Sequence, residues 1–260
     1  MNNTSPINNH VIINFLKFCK DKSNFSDSGN KEHYESITEI SKSDNGEALV
    51  NSKYRSFNLD NIVDNFYSKN KPLSVDGFLV GEKKNKIILY FVEFKGLDID
   101  SENPKKLFKE VVEKLSDGCC NSCFNECIVN DKIINNLIFS KKRYEDEITN
   151  KIKYKYFESI FIVLPRIYEK FCEKKKYNYN LSYGEFISYL INKITKHYFI
   201  IFSNSNTKSI TTQNQYKNSY LKNKINGNIS HILNSTNTQV HIYDENTFIN
   251  KLEELTLIKI

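Results

Sequence analysis

Apolar residues in this chain gather into short runs separated by polar stretches, and one run stands out. It reads Ile87-Ile88-Leu89-Tyr90-Phe91-Val92, followed at once by Glu93-Phe94-Lys95-Gly96. An uninterrupted apolar run bounded by turn residues predicts a strand buried on both faces. Side chains alternate along a strand, so Glu93 and Lys95 share one face and Phe94 takes the other. Burying charge costs several kcal/mol unless it is paired or bound to a metal, so an acid and a base at the end of such a strand ask for a reason. Just upstream, Ser74-Val75-Asp76-Gly77-Phe78-Leu79-Val80 predicts a partner strand. The two strands, about 74–81 and 86–95, are joined by a polar connection of hairpin length, Gly81-Glu82-Lys83-Lys84-Asn85.

The remaining pattern predicts helices and strands in alternation. Asn9–Cys19 reads as a short helix and 21–43 as loop with a helical piece, while 46–67 suggests helical segments, clearest over 58–67. Pro104 opens a helix whose stripe is Leu107, Phe108, Val111, Val112 and Leu115. Ser159-Ile160-Phe161-Ile162-Val163-Leu164 reads as a further buried strand stopped by Pro165. Tyr183–Lys196 reads as helix, Tyr198–Phe202 and Gln239–Tyr243 as strands, and Glu245–Leu255 as a closing helix. The order predicts an α/β fold with a central mixed sheet flanked by helices. The predicted organisation is an N-terminal helical and loop extension (1–45), an α/β core (46–202), a polar loop or insertion (203–230) and a C-terminal strand and helix packing on the core (231–260).

Composition adds bounds rather than chemistry. At 260 residues and 39% hydrophobic content the chain can support a true core. Its Asn, Lys, Ile and Tyr enrichment resembles the product of an AT-rich coding sequence. A formal charge of +6 is permissive for polyanion partners. No segment reads as a signal peptide or membrane span, which places the protein in the cytoplasm, without membrane partners. In that compartment the cysteines read as thiols or a metal site rather than disulfides. Cys119, Cys120, Cys123 and Cys127 cluster, and on a helix Cys120, Cys123 and Cys127 would form one stripe. A stripe favours packing over a thiolate zinc or iron–sulfur site, which would need a further ligand from Cys119, Cys172 or Cys19. The histidines at 10, 33, 197, 231 and 241 are scattered, and neither a phosphate-binding glycine loop nor a Gly-x-Ser-x-Gly elbow is present.

If the two predicted strands pair, Asp76 lies close to Glu93, with Lys95 beside them. Two carboxylates can hold Mg²⁺ or Mn²⁺, and a lysine can orient water or offset charge developing on phosphorus. Asp76, Glu93 and Lys95, on two successive strands with helices before and after, resemble the motif of the PD-(D/E)XK nuclease superfamily, especially its Holliday-junction-resolvase-like and restriction-endonuclease-like branches. Val75 stands where the name-giving proline falls, and the downstream glutamine–tyrosine signature of several exonuclease branches is absent. The likeness covers roughly 46–116. It implies a restriction-endonuclease-like core and metal-dependent phosphodiester hydrolysis, with DNA as the expected partner and a homodimer left open. It further implies Asp76, Glu93 and the Phe94 backbone carbonyl as metal ligands, and Glu47 as an assisting acid on the first helix.

Lys105, Lys106 and Lys109, with the Lys174-Lys175-Lys176 cluster near Tyr177 and Tyr179, are candidates for tracking a phosphate backbone. The alternative is a module that keeps the fold without turnover and binds nucleic acid or a protein.

Overall fold

The computed structural model describes residues 6–25, 31–43, 45–95, 149–174, 181–202, 223, 227 and 236–258. In chain order these form α1 (Pro6–Lys20), β1 (Tyr34–Ser36), α2 (Ile37–Ile40), β2 (Arg55–Asn58), α3 (Leu59–Phe66), β3 (Gly77–Lys83) and β4 (Lys86–Lys95). Then come α4 (149–158), a π turn at Ser159–Val163, α5 (Leu164–Glu173), α6 (Tyr183–Asn192), β5 (Thr195–Phe202), β6 (Thr238–Asp244) and α7 (Glu245–Glu254). Six strands make one sheet in sequence order. Pairs from β1 to β4 are antiparallel, whereas β4–β5 and β5–β6 are parallel. The fold is thus α/β around a mixed sheet with helices on both faces.

β4 explains why the sheet is covered twice. Ile87, Leu89 and Phe91 enter a large cluster with residues of α1, α3, α4, α5 and α6. Ile88, Tyr90 and Val92 enter a smaller one with Ile37, Phe248 and Leu252. Alternation carries that parity to the strand's end, so Glu93 and Lys95 lie on the helix-rich face and Phe94 packs toward Phe248 on the other. The β3–β4 connection is tight: Lys83 pairs Lys86, and Lys84 and Asn85 both have positive φ (52° and 59°), the conformation a two-residue type I′ hairpin requires.

Two expectations are overturned. The segment 46–67 is not helical throughout: Asn45–Ala48 is a turn, Ala48 bridges to Lys42, and β2 precedes α3. Phe57 makes the strand worthwhile, since its ring stacks on Phe78 at 4.6 Å and 9°. Ser159–Pro165 is not a strand but the middle of a long helix. Its buried residues Ile152, Tyr156, Ile160, Val163, Leu164, Ile167, Tyr168 and Phe171 follow helical spacing. Pro165 lacks an N–H and its ring would crowd the preceding turn, and the π turn, where the Leu164 N–H reaches the Ser159 carbonyl, makes room for it.

Two shorter boundaries also move. β3 begins at Gly77 rather than 74, because Ser74–Asp76 is engaged by α3 and α4. α6 stops at Asn192, short of 196, and Lys196 closes it. Its buried Nζ donates to the Leu190, Ile191 and Ile194 carbonyls at 2.7, 2.9 and 2.7 Å, satisfying a helix end. Burial pushes that ammonium down to about 8.

Gly77 lets β2 and β3 approach closely. A Cβ there would stand 2.7 Å from the Phe57 carbonyl oxygen, which is backbone and cannot swing aside. Gly77→Ala is expected to lower stability by about 1–3 kcal/mol in urea unfolding. Gly184→Ala, on α6 with open space around it, should instead leave stability unchanged or raise it by up to about 1 kcal/mol.

Candidate active site

The pairing of Gly77 with Val92 sets Asp76 directly opposite Glu93 in the continuing register, so both carboxylates emerge on the same face. Asp76 sits one residue beyond the strand, and its side chain takes over the ladder: Oδ2 accepts from the Phe94 N–H at 2.6 Å. In an extended strand a residue's N–H and C=O point to the same edge. The Phe94 carbonyl therefore faces the Asp76 side too.

The segment that carries Asp76 is strapped to its neighbours. The Leu73 N–H donates to Glu158 Oε2 at 2.6 Å and the Val75 N–H to Ser159 Oγ at 3.0 Å. Ser159 Oγ in turn donates to the Lys155 carbonyl at 2.7 Å. From the other side, the Leu59 N–H at the start of α3 donates to the Asp76 carbonyl at 3.1 Å. Asn58 caps that helix, accepting from the Asn61 N–H at 2.9 Å. Backbone position at Asp76 is thus fixed by β4, α3 and α4 together.

Lys155, one turn before the π turn, completes the arrangement. Its Nζ lies 2.7 Å from Asp76 Oδ1, and 3.0 and 3.2 Å from Glu93 Oε1 and Oε2. Lys95 forms a second ion pair with Glu93 Oε1. Glu93 has no solvent contact, whereas Asp76, Lys95 and Lys155 keep 15, 13 and 13% of their side-chain exposure. The site is a recess with a buried floor. Although both ammonium groups stand at ion-pair distance from it, Glu93 Oε1 makes no aligned hydrogen bond; the attraction there is charge on charge.

The electrostatics follow. Burial, then the Asp76 charge, push Glu93 up to about 7 against the opposing pull of Lys155 and Lys95. Burial works against the Lys155 ammonium, but Glu93, Asp76 and Asp60 outweigh it and hold it well above the ordinary lysine value. Asp60, in the first turn of α3, accepts a hydrogen bond from the buried Ser74 hydroxyl. Crowding by the surrounding protein, then the Asp76 charge, raise its carboxyl. Its side chain keeps solvent contact, so this is the desolvation of a recess wall rather than of a core.

The structure brings Asp76, Glu93 and Lys95 together as the sequence predicts. It does not add Glu47, which is exposed on the Asn45–Ala48 turn rather than on a helix; among the described residues its hydrogen bonds use its backbone, to Ser43 and Asn45. Asp60 and Lys155 are the residues missed. Asp60 was visible as an acid in the first turn of the 58–67 stripe. Lys155 was hidden because 159–165 reads as a strand, which gave its approach no helix face.

Lys105, Lys106, Lys109, Cys119, Cys120, Cys123 and Cys127 lie outside the described residues, as do Lys175 and Lys176. Lys174 is exposed at the end of α5, with Nζ 3.0 Å from Asn24 Oδ1. Cys19 and Cys172 are free thiols, Cys19 being buried in the core and raised by that burial.

The donor set suits a hard divalent cation: two carboxylates and a carbonyl oxygen, with one buried carboxylate oxygen lacking an aligned donor. Among the described residues, no three His, Cys, Asp or Glu side chains converge on one centre, so water and substrate oxygens would complete the shell. No helix among the described residues is long and apolar enough to cross a membrane.

No family model matches the chain, and no curated protein or solved structure is significantly similar to it.

Because the Glu93 carboxyl is raised in the fold, the folded state binds more protons than the unfolded chain between the ordinary glutamate range and about 7. Its contribution to stability is full below that window and lost as pH rises through it. Metal-free wild type should therefore lose stability relative to Glu93→Gln from pH 5 to 8, with a slope of at most about 1.4 kcal/mol per pH unit. Urea unfolding across that range checks it, and parallel curves would refute it.

Proposed function

We propose that the chain is a metal-dependent nuclease of the PD-(D/E)XK kind, hydrolysing phosphodiester bonds, with DNA as the first substrate to try. The observation that carries this reading is the convergence of Asp76, Glu93 and Lys95 in one recess at the ends of β3 and β4. The approach of Asp76 and Glu93 to one ammonium supports it, because two acids that can share one cation can share another. The Asp76 and Glu93 carboxylates and the Phe94 carbonyl would hold Mg²⁺ or Mn²⁺, which when bound supplies an activated water and offsets phosphate charge.

The chain's own groups do the rest. Glu93 fixes Lys95 beside the acids, where its ammonium would orient the attacking water and stabilise the oxygens of the phosphorane-like transition state. The Phe94 N–H holds Asp76 in one rotamer, and the straps from Glu158 and Ser159 keep its backbone in place. Water attacks phosphorus and gives up a proton to solvent, the bond to the leaving oxygen breaks, and that oxyanion takes up a proton from solvent. Lys174, with the basic residues Lys105, Lys106, Lys109, Lys175 and Lys176, would contribute to binding the backbone.

One observation favours a second reading, a nucleic-acid or protein-binding module without turnover. The Lys155 ammonium already spans both acids, which would suit a site that needs no metal.

Incubation of linear, circular, single-stranded and branched DNA with Mg²⁺ or Mn²⁺ separates the two. Wild type is expected to cut in a metal-dependent way, with Asp76→Ala and Lys95→Ala each slower by about 10²-fold or more. Failure of wild type to cut any of these, or cutting unaffected by both substitutions, would sink the nuclease reading.

A further inference from the structure

We infer that Lys155 is a displaceable counter-ion: its ammonium holds Asp76 and Glu93 together in the metal-free protein and leaves when a divalent cation enters. The inference rests on the metal-binding part of the reading above. Its basis is the position of Nζ, 2.7 Å from Asp76 and 3.0 Å from Glu93, between the same carboxylates that would ligate the ion. Two cations cannot occupy that space together. With the ion bound and both lysines in place, four positive charges would face the two carboxylates, and Lys155 is the one placed between them.

Lys95 is not the residue to leave. Among the described residues it pairs with Glu93 and not with Asp76, and it comes from the same strand two residues on. Lys155 arrives from α4 on a flexible stem, keeps 13% of its side-chain exposure, and so has a way out to solvent. It also has somewhere to go. Asp60, solvent-accessible on α3 and already attracting the Lys155 ammonium, offers a carboxylate outside the pair. The α4 backbone need not move, because Ser159 and Glu158 bind the 73–75 segment independently of the lysine head group.

The inference separates the two lysines by role. Lys95 would act on the substrate, whereas Lys155 sets how much free metal is needed to load the site. Its presence lowers the apparent metal affinity, since the ion must compete with a bound ammonium. It also spares the empty site from two facing carboxylates with a single partner.

The test is Mn²⁺ binding to the full chain without nucleic acid, followed by the loss of the free-ion electron paramagnetic resonance signal. Lys155→Met, which keeps the stem and removes the charge, is expected to bind Mn²⁺ about tenfold or more tightly than wild type. Lys155→Arg, which keeps the charge, should bind as weakly as wild type. Asp76→Ala should abolish binding in either background. Thermal unfolding covers the case in which Lys155→Met folds poorly alone: Mn²⁺ should then raise its midpoint more than that of wild type. Equal or weaker binding by Lys155→Met, with no larger midpoint shift, would overturn the counter-ion role and leave the nuclease reading standing if wild type cuts DNA. If neither protein binds Mn²⁺ the inference fails, and absence of cutting would then remove the nuclease reading as well.

Discussion

Glu93 is a carboxylate with no solvent contact, and the geometry around it follows from the need to partner it. Removing such a group from water costs several kcal/mol, repaid only where opposite charge and fixed dipoles stand close. β4 supplies Lys95 and α4 supplies Lys155, while Asp76 adds a repulsion that Lys155 offsets. That requirement constrains three elements at once. β3 must pair in the register that puts Asp76 opposite Glu93, α4 must present Lys155 to both acids, and α3 must begin where its first N–H can hold the Asp76 backbone. A core made only of apolar contacts would tolerate small slides between these elements. A shared ammonium within 3 Å of two acids does not.

The aromatic floor of the site supports the same constraint. Phe91, two residues before Glu93 on the same face, meets Tyr156 edge-on at 5.6 Å, and Tyr156 stacks on Tyr198 at 4.7 Å. Tyr156 follows Lys155 directly, so the packing of one side chain aims the next. The apolar column thus sets the height of α4 above the sheet, and the charges at its end sit at the distance this height permits.

The site was legible where it depended on strand alternation and was not where it depended on helix phase. Asp76, Glu93 and Lys95 could be found because a run such as Ile87–Val92 has one reading as a buried strand, and period two assigns its flanking charges to faces. Asp60 and Lys155 could not be grouped with them, since their faces depend on how α3 and α4 pack. Ser159–Leu164 misled for a physical reason: six residues with five apolar positions look alike as a buried strand or as the centre of a helix buried on a broad stripe. The wider spacing of Ile152, Tyr156, Ile167 and Phe171 carried the helical signal, and Pro165 masked it. Glu47 failed because a Gly–Glu–Ala–Leu sequence with good helix formers sits on a turn held by the Lys42–Ala48 bridge, where local pairing outweighs propensity.

The π turn can be viewed as a phase correction between two clients of one helix. At about 100° per residue, buried positions spaced by four, such as Ile152, Tyr156 and Ile160, advance by about 40° at each step. On an uninterrupted helix at that step, Leu164, Ile167 and Phe171 would all lie within about 40° of Ile160. The extra residue accommodated by the π turn offsets the second half from the first, so α4 can be set for the charged recess and α5 for the aromatic core of Phe15, Tyr168 and Phe186. The two halves are thereby decoupled in sequence space: substitutions can retune one client without reorienting the other, whereas a one-residue deletion within Ser159–Val163 would force them to share a single phase.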